Sequence, residues 1–113
     1  MAYDEDLAAR LRAHFQYRDD VVEKKMFGGL CFMVAGHMCC GIVDRTLMAR
    51  VGPDNYEECL GQQHVRKMDF TGKPLRGLVY VDPAGLHSEE QLIRWAVICT
   101  AFVESLPPRL AKP

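Results

Sequence analysis

Thiols and imidazoles are the side chains here with the most chemistry to offer, and they concentrate in one stretch. Residues 31–43, CFMVAGHMCCGIV, hold three of the five cysteines and one of the four histidines. Thiolates with imidazole make a tetrahedral zinc site, and paired thiols make a redox couple. With Gly36 and His37 as the central residues of a two-residue hairpin, Val34 faces Cys39 and Cys31 faces Ile42. Adjacent strand residues leave by opposite faces, so Cys39 and Cys40 diverge and cannot close on one ion. Their Cα atoms stand ~3.8 Å apart, below the ~4.4–6.8 Å of an ordinary disulfide. Cys31 and Cys40 share a face only as diagonal neighbours at ~7–8 Å. No C-x-x-C spacing occurs. The stretch therefore reads as core, with cysteine acting as a small hydrophobe. A thiol sensor at Cys39 or Cys40 is the competing reading, and no metal is expected.

A second cluster is cationic. Arg66, Lys67, Lys73 and Arg76 lie beside Phe70, offset only by Asp69, the pattern of a contact to an anion, a partner or a nucleic acid. Charge runs this short are more often solvated loops. The chain as a whole carries 14 basic and 15 acidic residues, a net charge of -1, so no overall positive field favours nucleic acid. His14, His37, His64 and His87 are scattered, with no serine, cysteine or carboxylate at a recognisable catalytic spacing. No glycine-rich phosphate loop occurs either. Neither catalytic residues nor a cofactor are expected.

The elements that position these residues follow from periodicity. Leu7, Leu11 and Phe15 recur at helical spacing behind Asp4, Glu5 and Asp6, predicting a helix over 4–17. Residues 21–51 are short apolar runs broken at Gly28-Gly29, Gly36-His37 and Asp44-Arg45, an antiparallel meander of three or four strands. Pro53 opens a short helix that ends at Gly61, a loop spans 64–74, and a strand spans 75–81. Ser88 and Gln91 match a capping box that starts the longest helix, which Pro107-Pro108 ends near residue 106. The order implies one α+β domain over 1–113, an antiparallel sheet with helices, and a frayed tail at 109–113.

With 49% apolar and 26% charged residues the composition is that of an ordinary globular protein. An acidic start lacks the form of a secretory signal, and no apolar run reaches the ~20 residues that span a bilayer, so a cytoplasmic protein without a membrane partner is expected. Both faces of the 31–43 hairpin are apolar, as is most of the circumference of the last helix. Two other helices are too few to cover all of this, which predicts a homodimer contacting through Trp95, Ile98 and Phe102.

Five stretches in order, MFGG (26–29), MCCG (38–41), VGP (51–53) with Tyr56-Glu57-Glu58, MDFTGKP (68–74) and VYVDP (79–83), resemble the N-terminal domain of the TfoX (Sxy) bacterial competence regulators. The likeness runs over about 21–108 and is that of a stand-alone copy, without the C-terminal helical domain of full-length relatives. It implies an α-β-β-β-α-β-β-α order, also seen in secretion chaperones. It also implies a non-enzymatic regulatory role, since the relatives are regarded as transcriptional regulators acting with the cyclic-AMP receptor protein. The family offers no established catalytic residues or cofactor to carry over. A transcription-regulator protein is the partner so implied, and a small-ligand or thiol-responsive binding protein with a groove beside the sheet is the alternative.

Overall fold

A computed structural model describes residues 3–69, 72 and 75–107. The chain opens with helix α1, Glu5–Phe15, capped by the Asp4 carboxylate, which accepts from the Asp6 amide at 3.1 Å. Leu7, Ala8, Leu11 and Phe15 form its buried stripe. Four strands follow, β1 (Val21–Met26), β2 (Gly29–Val34), β3 (His37–Val43) and β4 (Thr46–Arg50), each joined to the next by two residues. The first central residues of the three turns, Phe27, Ala35 and Asp44, all have positive φ, the left-handed backbone that such tight hairpins require.

Helix α2, Tyr56–Leu60, leads to β5 (Val65–Lys67), β6 (Leu78–Val81) and helix α3, Glu89–Glu104. The capping box is present: the Gln91 amide donates to Ser88 Oγ, and the Ser88 amide donates to Gln91 Oε1, both at 3.0 Å. All neighbours are antiparallel, in the sheet order β1-β2-β3-β4-β6-β5.

The α+β reading of the sequence holds, with one more strand before the second helix than the family likeness implied: α-β-β-β-β-α-β-β-α. Within the stretch read as a loop, Val65–Lys67 pairs with β6 as a short edge strand. β6 itself starts at Leu78 rather than residue 75, and the second helix starts at Tyr56 because residues 53–55 form a turn first. The tail at 109–113 lies outside the described residues.

The two faces of the sheet are filled differently. On one, α1 and α3 cover Leu30, Phe32, Val34, Ile42, Leu47, Val79 and Val81, with Trp95 among the largest side chains enclosed. The other gathers Cys31, Met38, Met48 and Met68, with Met26, Met33, Leu78 and Tyr80 packed against them. Five of the six methionines in the chain stand on that second face, which no helix among the described residues covers.

Candidate functional site

The cysteine stretch folds differently from its simple strand reading. Ala35 and Gly36, not Gly36 and His37, are the central turn residues, so Val34 pairs with His37 and Met33 with Met38. Phe32 nevertheless pairs with Cys40, which leaves Cys39 as the extra residue of a β-bulge. The bulge breaks the alternation of side chains. Cys39 and Cys40 both enter the helix-covered core, with Cys99 from α3 and Cys59 from α2, while Cys31 faces the methionines. The expectation that Cys39 and Cys40 diverge is thus overturned.

Sharing a face does not expose these thiols. All five cysteines are buried and free. A hydrogen bond with Cys40 is the main influence drawing the Cys39 thiol below its ordinary value, while Cys40 and Cys99 stand well above theirs. For Cys40 the cause is donation to Cys39 followed by burial, and for Cys99 it is chiefly burial. Cys39 Sγ also lies 3.7 Å from Thr100 Oγ1, whose own proton is committed to the Ala96 carbonyl at 2.8 Å. Burial alone raises Cys31 to about 11. Among the described residues no group of three or more Cys, His, Asp or Glu is placed to hold a metal ion. The cluster behaves as densely packed core.

The basic stretch divides. Arg66 donates to both carboxylate oxygens of Asp82 at 2.8–3.1 Å and lies 4.9 Å over the Tyr80 ring, so its charge is already matched. That contact holds the Asp82 carboxyl below its usual value. Lys67 is exposed at the end of β5, and Lys73 lies outside the described residues. Arg76 instead joins a cleft that its position in the sequence did not announce. Its partner there, Arg50 at the end of β4, was no candidate because a lone strand-terminal arginine carries no signal in sequence.

This cleft, of about 270 Å³, opens beside the methionine face between Met26, Met38, Leu78 and Phe102. Among the described residues Arg50 and Arg76 supply its charge, and no carboxylate lines it. Arg50 is held in place: Nη1 donates to the Met38 carbonyl at 3.2 Å, and the guanidinium lies 5.3 Å from the Phe102 ring centre. The rim is fixed by backbone, since the Val51 and Gly52 amides both donate to the Gly77 carbonyl, at 2.8 and 3.1 Å.

The residues expected to meet a second subunit are also separated. Trp95 is 2% exposed and belongs to the core of its own chain, which corrects its assignment as a contact residue. The last helix directs Trp95 inward with Leu92, Ala96, Cys99 and Val103, one continuous stripe. Ile98 and Phe102 are half-buried against that core. On this helix the apolar side chains left in water are Ile93, 41% exposed, and Val97, 52% exposed, with exposed Ala101 one turn further.

None of the four histidines forms a catalytic pair among the described residues. His37 Nε2 bonds to the Pro107 carbonyl at 2.6 Å, and His14 packs edge-on to Phe15. His64 contributes its backbone carbonyl to Asp82, and His87 is exposed. Among the described residues no helix is long and apolar enough to cross a membrane.

An open antiparallel sheet with helices on one face and a small charged cleft beside the other defines an α+β domain by its build. The model of the TfoX N-terminal domain matches residues 13–103, and the chain belongs to that family, which is not a known enzyme family. Searches among curated proteins and among solved structures return no match.

Proposed function

We propose that the chain is a non-enzymatic regulatory interaction module, a homodimer that acts on a transcription-regulator protein, as the competence regulators of its family suggest. The supporting observation for self-association is the stripe Ile93, Val97 and Ala101 on α3, spaced four residues apart and left in water. A second copy suits it by shape. In an antiparallel, two-fold pairing centred on Val97, the large Ile93 of one copy meets the small Ala101 of the other, a self-complementary match. Ala101 lets the helix axes approach within the usual ~8–10 Å.

Light scattering of the purified chain at micromolar concentration tests this. A dimer mass is expected, with Val97→Glu giving the monomer mass at unchanged helix content. A monomer mass for the unsubstituted chain overturns the reading.

A further inference from the structure

We propose that the cleft between Arg50 and Arg76 is a binding site for a small carboxylate carried on an apolar chain. It stands apart from the self-association reading, because Ile93, Val97 and Ala101 line no part of it.

Charge is the first reason. Arg10, Arg12, Arg18 and Arg66 each hold a carboxylate at 2.7–3.0 Å. Among the described residues no carboxylate pairs with Arg50 or Arg76, and none lines the cleft they share. Two unmatched guanidinium groups over one hollow select an anion, and their planar donor forks suit a carboxylate in particular.

The walls decide what the anion is attached to. Apart from the two arginines the lining is methionine, phenylalanine, leucine, proline and glycine, which offers a bare ion nothing. Methionine side chains are unbranched and adaptable, so the walls mould to a flexible chain rather than demand one rigid shape. Size limits it further. About 270 Å³ holds roughly nine units of the ~30 Å³ that a water molecule takes in the liquid. That matches a carboxylate on a chain of about seven carbons. Preformation is the third reason. With Arg50 tied to the Met38 carbonyl and the rim tied at Gly77, little ordering is left for a ligand to impose.

Octanoate is the probe, followed through the methyl signals of ¹³C-labelled methionine, with 1-octanol and acetate as controls. Saturable shifts are expected at Met26 and Met38, which line the cleft, and none at Met33, which does not. Octanol lacks the charge and should bind at least about tenfold more weakly, the loss expected for a missing charged hydrogen bond; acetate lacks the apolar chain, whose burial favours binding, and should also bind at least about tenfold more weakly. Arg76 is exposed, so Arg76→Glu should fold normally and abolish the octanoate shifts. Arg50→Gln should weaken binding about tenfold as well. The proposal is overturned if octanoate moves neither Met26 nor Met38 up to its solubility, or if octanol moves them as strongly. Unchanged affinity in a folded Arg76→Glu chain overturns it too.

Discussion

The two faces of the sheet are built from the same strands yet put to different ends. Toward α1 and α3 the side chains are branched, aromatic or thiol, and they lock together around Trp95. Toward the other side they are largely methionine, no helix among the described residues covers them, and a cleft whose two arginines pair with no described carboxylate remains open. The lesson concerns rigidity. Shape-specific packing on one face holds the fold, which leaves the other face free to use soft, adaptable side chains at little cost to uniqueness. Substitutions on the two faces should therefore differ sharply in their effect.

The largest difference is expected at Trp95. Trp95→Ala removes the bulkiest enclosed side chain and should destabilise by ~3–5 kcal/mol, seen as a lower urea midpoint. Met33→Leu on the opposite face conserves volume, is only half-buried, and should cost less than ~1.5 kcal/mol. Equal losses at the two positions would erase the contrast between the faces.

An intermediate effect is expected where the faces meet. Gly52 has φ +89, and a Cβ added there would run into the Phe102 ring, which is also the ring beneath Arg50. Gly52→Ala should cost ~1–3 kcal/mol through overpacking and a left-handed backbone that alanine resists. Because Phe102 forms one wall of the cleft, the same substitution should displace the Met38 methyl signal while leaving Cys31, deep under the methionines, unlabelled by thiol reagents in the native chain.

Much of this was legible beforehand, and the exceptions share a cause. The stripe Leu7, Leu11, Phe15 and the Ser88–Gln91 box announce their helices because the information is local. Turn residues at Gly28-Gly29, Gly36-His37 and Asp44-Arg45 likewise announce a meander of three or four strands, and the structure has four. The bulge at Cys39 is not local: it exists because β2 and β3 are paired out of step, so counting alternation within one strand places Cys40 on the wrong face. For the same reason β5 is invisible in a three-residue run whose partner lies eleven residues on. The cleft is the extreme case, since Met26, Met38, Arg50, Arg76 and Phe102 come from five separate segments. Trp95 teaches the converse. An apolar circumference in sequence overstated what the helix leaves uncovered, because one face is fully used at home and only Ile93, Val97 and Ala101 remain in water.

The smallest expected effect separates the matched arginine of the methionine face from the unmatched pair in the cleft. Arg66 stacks on Tyr80 and holds Asp82, tying edge strand β5 to the residue that follows β6. Both side chains are partly in water, 54% and 34% exposed, so screening limits the pair to on the order of 0.2–1 kcal/mol. Its sign with pH is set by the carboxyl. The hydrogen bond from Arg66 lowers the Asp82 pKa in the folded chain relative to the unfolded one, so the pair stabilises fully above the unfolded value, ~3.9. That contribution is lost as pH falls through the lower folded value. Asp82→Asn should therefore lower the melting temperature slightly at pH 7, and the gap from the unsubstituted chain should close in acid. A gap that persists below pH ~2, or widens there, would mean that Arg66 is not held as described.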